Sequence, residues 1–492
     1  MNFSKSKYVK TTKCPKMLWL ESNKPELCEI SADAQDRIDV GHAVGELAQK
    51  RFDGYVVVPF DKDNLGGMAQ RTKELLQQGT EYIAEASFAV DNLFCSVDIL
   101  HFLGGRVVEL YEVKSTSSAK DSQYDDVALQ CYVLTRCGYE VRRAFLMYLN
   151  NEYKRHGDLN LSELFTVEDV TERAKAAHDT VAANVKRFSI YMEQKEEPTD
   201  DLDPRCIQND DFCEFWDYCS RHLPKPNVFD IGKKSSFKYY KQGLVSLSDL
   251  HDAGKVTDGK KLQVEHALFD LPPHIEKEAI RKFLSELTYP LYFLDFETCQ
   301  MAVPQYDDAW PYEQIPFQYS LHYIEAKDGE VKHKEYLAYP ADGDPRRGLA
   351  ERLCADIPQN VCTLAYHKTF EQGRIKEMAA LFPDLSEHLM NIHAHIIDLE
   401  TPFKKRAYYV RAMEGRSSIK WVLPALFPND PALDYHNLEG VHGGTEASRA
   451  FRAMADMTPE TLEEWRRHLL EYCKLDTLAM VKVLEKLREA AE

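Results

Sequence analysis

Long hydrophobic runs are missing from this 492-residue chain. No apolar stretch reaches the roughly 18 residues of a membrane-spanning helix, which argues against a helical membrane protein. The first residues, MNFSKSKYVKTTKCPKMLWL, lack the apolar core of a signal peptide. Internal repeats and low-complexity tracts are also absent. Positive charge is scarce: 61 Lys and Arg stand against 80 Asp and Glu, a formal net charge of −19. That balance argues against a protein whose whole surface binds polyanions, though it leaves room for a local basic groove. What is present is a globular composition, too long for one ordinary core, so two or three domains are expected. Twelve cysteines without an export signal point to a reducing, cytoplasmic compartment. Clustered cysteines there suggest a metal before a disulfide.

The first change in pattern is SRHLPKPNVFDIGKKSS (Ser220–Ser236), where two prolines and a lysine pair interrupt the chain like a linker. Short helical patterns follow, and from Tyr289 onward strand-like and helical runs alternate. The expected organisation is an α/β protein with a domain over residues 1–226, a helical connector over 227–283 and a second domain over 284–492.

In the first domain, NLFCSVDILHFLGGRVVELYEVKSTS reads as a hairpin about Gly104 and Gly105. Period-two alternation puts Glu112 and Lys114 on one face. A three-residue turn, Gly104–Arg106, sets Asp98 opposite Glu112, whereas a two-residue turn would set it opposite Tyr111, on the wrong face; a bulge is therefore expected there. Two carboxylates at that separation repel, and a divalent cation is the usual remedy. A helix containing DDVALQCYVLTRC then presents Gln130 and Leu134 one turn apart.

Asp98, Glu112-x-Lys114 and the following Gln helix resemble the PD-(D/E)XK nucleases, specifically their RecB-like branch. The resemblance implies a restriction-endonuclease-like fold with Asp98, Glu112, Lys114 and Gln130 catalytic and Asp98 and Glu112 binding Mg²⁺ or Mn²⁺. Glu85, in YIAEASF, falls where the branch often has an upstream strand. The branch's early metal-binding His is replaced by Gly45 in GHAVGELAQ, with His42 and Glu46 as imperfect substitutes.

DPRCIQNDDFCEFWDYCSRHL holds Cys206, Cys213 and Cys219, and Cys14 lies near the N-terminus. Three closely spaced thiols and a distant fourth can close a four-thiolate site. One Cys before the core and three after it resemble the iron–sulfur RecB-like nucleases of the AddB and CRISPR-adaptation type, which implies a [4Fe–4S] cluster. The Cys206–Cys213 gap is wider than in that pattern. A structural Zn²⁺ is the rival occupant, and buried inert thiols are the third reading. The remaining cysteines, Cys473 among them, read as core.

In the second domain, Asp295 and Glu297 end the apolar strand LYFLDFETCQ on one face. Glu371 follows a strand and short turn in TLAYHKTFEQGRIKEMAALF. Tyr472 and Asp476 stack four apart on a long amphipathic helix. Four acids from one strand and two helices form a site for two divalent cations, the chemistry of phosphodiester hydrolysis. The order D-x-E, central acid and Tyr-x₃-Asp resembles the DEDD 3′→5′ exonucleases of the ribonuclease H-like fold, in their tyrosine subclass. By that resemblance Asp295, Glu297, Glu371 and Asp476 bind metal and Tyr472 orients the attacking water. His367-x-x-Phe370-Glu371 stands where the family has Asn-x-x-Phe-Asp, and Asp398 is a fallback acid.

KKRAYYVRAMEGRSSIKWVLPALFP interleaves Lys404, Lys405, Arg406, Arg411, Arg416 and Lys420 with Tyr408, Tyr409 and Trp421, a pattern suited to a single-strand track. The expectation is a nuclease with two metal-dependent sites acting on nucleic acid, single-stranded DNA before RNA, with no membrane partner. The alternatives are one catalytic C-terminal site beside a DNA-binding iron–sulfur domain, or a non-catalytic adaptor.

Overall fold

Residues 3–28, 32–199, 201–208 and 210–492 are described in the computed structural model. The chain is mixed α/β and divides into two compact units, Met1–His222 with Met301–Tyr312, and Leu223–Gln300 with Glu313–Glu492. Among the described residues no helix is long and apolar enough to cross a membrane.

The first unit is built on a seven-stranded sheet. Its strands are β1 (Phe3–Ser4), β2 (Val56–Val57), β3 (Tyr82–Val90), β4 (Leu93–Phe102), β5 (Val107–Lys114), β6 (Glu140–Leu149) and β7 (Phe165–Asp169). They run in the order β2-β3-β4-β5-β6-β7, with β1 added beside β4. β3, β4 and β5 form an antiparallel meander, and β5 pairs parallel with β6. The helices that concern the site are α1 (Lys5–Lys13), α2 (Pro15–Asn23), α3 (Ala32–Gln49) and α4 (Asp121–Arg136). α4 lies in the parallel β5–β6 connection and buries Val127, Val133 and Leu134 with sheet residues Leu100, Leu110 and Leu146. Val44 and Ala48 of α3 cluster with Ile99, Met147 and Leu149. Pro15 opens α2, where its missing N–H costs nothing. Met301–Tyr312 joins this unit through backbone bonds between Arg155 and both Asp308 and Ala309.

The hairpin turn sets the geometry of the first site. Gly104 and Gly105 take φ of +98° and +61°, and Leu103 N–H meets the Val107 carbonyl at 3.0 Å around the three-residue turn. The ladder pairs Ile99 with Tyr111, which sets Asp98 against Glu112, as the turn length predicts. The expected bulge is absent from the β4–β5 ladder, because the turn itself takes up the odd residue. On the other side, Ala84 pairs with Ile99 and Ala86 with Val97, so Glu85 stands across from Asp98. Glu85 has φ of +56°, a left-handed strain that a glutamate in a strand adopts only under outside constraint.

The second unit carries a five-stranded sheet of β8 (Leu291–Gln300), β9 (Gln314–Ile324), β10 (Val331–Leu337), β11 (Cys362–Ala365) and β12 (Ile396–Asp398). The order is β10-β9-β8-β11-β12, and only β9 runs against the others. Its helices include α5 (Pro345–Asp356), α6 (Thr369–Leu381), α7 (Ser386–Ala394), α8 (Ile419–Leu426) and α9 (Pro459–Ala491). Leu349, Ile375, Met378 and Leu389 from α5, α6 and α7 pack with Leu294, Phe296 and Leu321 of the sheet. α9 is capped by Thr458 and opened by Pro459. Its stripe of Leu469, Tyr472, Cys473, Asp476, Met480 and Val483 is buried, a helical period interrupted by polar groups. Residues expected to be connector form short helices, among them Leu247–Asp252 and Asp258–Leu268, and belong to this unit.

Candidate active and metal sites

In the first unit, strand register brings Glu85, Asp98 and Glu112 side by side across β3, β4 and β5. Lys114, two residues beyond Glu112, is hydrogen-bonded to it and reaches Asp126 of α4 at 2.6 Å. Gln130, one turn further along α4, donates to Glu112 at 2.6 Å and to Asp126 at 3.2 Å. Asp98 accepts from the backbone N–H of Val113 at 2.6 Å. Asp98, Glu112, Lys114 and Gln130 therefore meet at one place. His42 lies exposed on α3, near enough for its charge to act on Glu85; Glu46, one turn on, is exposed and makes no hydrogen bond or ion pair among the described residues.

Two members of this cluster carry no signal in a strand-by-strand reading. Lys5, the first residue of α1, sets its ammonium 2.9 and 3.0 Å from the two Glu112 oxygens and 3.8 Å from both Asp98 and Asp126. Asp126 is 4% exposed, and its position four residues before Gln130 on one helical face was the available clue. Burial opposes ionisation of Glu112, yet Lys114 and Lys5 hold it well below the usual carboxylate range. Asp98 is pushed the other way, up to about 8, by burial and then by the Glu112 charge. Two carboxylates whose affinities for protons diverge in this way can take different roles.

The four singled-out cysteines also converge. Burial pushes Cys206 to about 11 and Cys213 to about 12 and also raises Cys219, and Cys14 adds to the rise at all three. Cys14, Cys213 and Cys219 flank Met17, Trp19, Leu20 and Phe215. The Cys213 and Trp216 amides bond to the Cys206 and Cys213 carbonyls, each at 2.9 Å. Burial penalises the thiolate forms here, a penalty that a bound soft metal would reverse. Cys28, in the same apolar cluster, feels the charges of Glu21 and Glu214 instead.

The second unit brings together all five residues expected there. Asp295 and Glu297 leave β8 on one face, with a register shift immediately after Glu297. The sheet's core side is Leu294 and Phe296, so the acids face α9, which supplies Tyr472, Cys473 and Asp476. Oxygens of Asp295 and Glu297 and the Cys473 sulfur lie within 4.8 Å of one another. Asp476 accepts from the Tyr435 hydroxyl at 2.6 Å, and Lys420, on α8, donates to the Tyr472 oxygen at 3.2 Å. Glu371 enters from the first turn of α6, 2% exposed, with one carboxylate oxygen unpartnered among the described residues. Its charge reaches Asp295 and Glu297.

This cluster is electrostatically unfavourable by itself. Burial first, then Asp476, Glu297 and Glu371, push Asp295 well above the usual range. Burial and Asp476 raise Glu297 to about 8, and burial with Asp398 raises Glu371 to about 8. Asp476 rises to about 6 by burial, restrained by Tyr435 and Lys420. Buried carboxylates that repel, with an orphaned oxygen among them, fit divalent cations. Asp398 accepts from the His367 and Glu400 amides, both at 3.0 Å, and so holds the turn before Glu371 while its charge acts on Glu371. His367 has φ of +68°, a left-handed state uncommon for residues other than glycine.

The basic–aromatic run contributes less surface than its sequence promised. Tyr408 and Tyr409 are 9% and 1% exposed, because they pair as a strand with His274–Ile275 and turn into the core. The Arg416 guanidinium instead covers the Trp421 ring at 3.8 Å, and Lys420 lies 5.4 Å from the Tyr472 ring centre. Lys420, Tyr435 and Cys473 are site residues that the sequence reading did not place there.

Residues 292–418 match the family model of a domain of unknown function (DUF2779). The match includes Asp295, Glu297 and Glu371 and stops short of Tyr472 and Asp476. No curated protein matches the chain.

Proposed function

We propose that the chain is a metal-dependent nuclease that hydrolyses phosphodiester bonds, single-stranded DNA being the expected substrate, and that its C-terminal site removes nucleotides from 3′ ends. The observation that carries this reading is the meeting of Asp295, Glu297, Glu371 and Asp476 beside Tyr472, in a buried place where they repel unless cations are present. The strand order 3-2-1-4-5 within the second unit, with only the second strand reversed, supports the ribonuclease H-like resemblance. Mg²⁺ or Mn²⁺ held by the four acids would activate water and stabilise charge on the leaving oxygen. The chain's own groups prepare the rest. Lys420 donates to the Tyr472 oxygen and Asp476 takes up its hydroxyl, which together hold the phenol beside the acids, where it would orient a water. Tyr435 restrains Asp476. The flanking Arg416–Trp421 pair offers a cation and a ring face to a single strand.

The first unit is read as a second site of the RecB-like PD-(D/E)XK type, with Asp98 and Glu112 as metal ligands and Lys114 as the cation near the reacting phosphate. Cys14, Cys206, Cys213 and Cys219 would hold a [4Fe–4S] cluster that staples α1–α2 to the later cysteine segment. Gly45 in place of the branch's metal-binding His favours a second reading, in which this unit binds DNA and only the C-terminal site cuts.

The test is Mn²⁺-dependent digestion of 3′-blocked and 5′-blocked single strands. The 5′-blocked strand is expected to shorten from its open end while the 3′-blocked strand persists. Failure to digest either DNA or RNA would sink the enzyme reading. For the cysteines, anaerobically purified protein is expected to be brown, with absorbance near 400 nm that Cys213→Ser removes. Colourless protein carrying one equivalent of zinc would replace the cluster by a structural Zn²⁺.

A further inference from the structure

Lys5 fills a point where three carboxylates meet one ammonium. Its ammonium touches both oxygens of Glu112 and stands 3.8 Å from Asp98 and from Asp126, the centre of three acids brought in by β4, β5 and α4. A divalent cation in that place would draw Asp98 and Asp126 in from 3.8 Å to bonding distance. Beside it, Gln130 is fully buried; its amide nitrogen serves Glu112 and Asp126, while its oxygen has no hydrogen-bond partner among the described residues. An unpartnered acceptor there suits a hydrated cation, whose water could donate to it, better than it suits the ammonium alone.

We infer that Asp98, Glu112 and Asp126 form a cation site for which Lys5 and a divalent ion compete, so that Lys5 is the resident cation until Mg²⁺ or Mn²⁺ displaces it. The inference rests on reading Asp98 and Glu112 as metal ligands and adds to it the third acid and the internal competitor. Lys114 is the contrasting lysine. It approaches Glu112 and Asp126 from the same strand as Glu112, and it can keep those contacts with a cation at the centre. Lys5 cannot, because two cations at one point repel. Ser4 begins the helix that carries Lys5, and Cys14 ends it, its amide bonded to the Lys10 carbonyl at 3.1 Å. The cysteine centre thus fixes the far end of the helix that delivers the competing charge.

The experiment measures Mn²⁺ binding by electron paramagnetic resonance in full-length protein carrying Asp295→Asn and Asp476→Asn, which silence the C-terminal site. Lys5→Met in that background is expected to bind Mn²⁺ at least about tenfold more tightly, Lys5→Arg to bind no more tightly than the parent, and Asp126→Asn to bind more weakly. Equal or weaker binding by Lys5→Met overturns the competition while leaving the metal site itself standing. Absence of Mn²⁺ binding that Asp98→Ala can weaken overturns both. A measurement on the native side chain guards against misfolding of the variants. Lys5 of the wild-type protein, followed by mass spectrometry, is expected to react with an amine-acylating reagent several-fold faster in Mg²⁺ than in chelator. An unchanged or slower reaction contradicts the proposal.

Discussion

Asp295→Ala is expected to abolish divalent-dependent shortening of single strands from the 3′ end, by about a thousandfold or more. Asp295 lies on β8, the strand between β9 and β11, with an oxygen within 4.8 Å of both a Glu297 oxygen and the Cys473 sulfur. The substitution removes a buried carboxylate that three neighbouring acids already disfavour. The fold should therefore survive it, and the metal-free variant should melt no lower than wild type at pH 8. That separates loss of chemistry from loss of structure. Wild-type rates in Asp295→Ala, with activity lost in Asp98→Ala, would move catalysis to the first unit.

The second large effect is on stability, and its sign follows from the same repulsion. A carboxylate whose proton is held more tightly in the folded chain binds it up to the raised folded value. The unfolded chain releases it near the ordinary 4.5 of a glutamate. Between those points the folded state holds more protons, so stability falls as pH rises. Glu297 and Glu371, both raised to about 8, place the fall across pH 5 to 8, and Asp476, raised to about 6, adds to its lower half. Asp98, also raised to about 8, contributes in the same direction from the first unit. In chelator the Tm is expected to drop over that interval. At pH 8, Mn²⁺ well above its Kd should restore about 5 °C or more, and at pH 5 much less, because protons then compete. Glu297→Gln should flatten the pH slope of the second unit's transition. A Tm that is flat in pH and indifferent to Mn²⁺ would show that the acids are compensated by the protein alone.

How much of this could be read from sequence depended on the distance over which each contact acts. Asp295 with Glu297 and Tyr472 with Asp476 follow from the periods of one strand and one helix, and Asp98 opposite Glu112 follows from the turn length. Lys5 could not be read in this way, because α1 reaches the carboxylates only after β1 has joined the sheet beside β4. Cys473 looked like core and is buried, but its neighbours are Asp295 and Glu297 of β8, a contact made only when α9 packs on that strand. Tyr435 comes from a short 3₁₀ turn with no periodicity to betray its direction. The left-handed Glu85 and His367 are also invisible to pattern, since non-glycine residues at positive φ are imposed by their surroundings. Tyr408 and Tyr409 show the reverse error. Alternating with cations they resembled a binding track, yet a two-residue strand pairing buries them.

The most direct measurement is a crystal structure of the wild-type protein grown with Mn²⁺ and recorded at the manganese absorption edge. Anomalous peaks are expected among Asp295, Glu297 and Asp476, with Glu371 turned toward the same ions. Well-ordered carboxylates with no anomalous density between them would contradict the account.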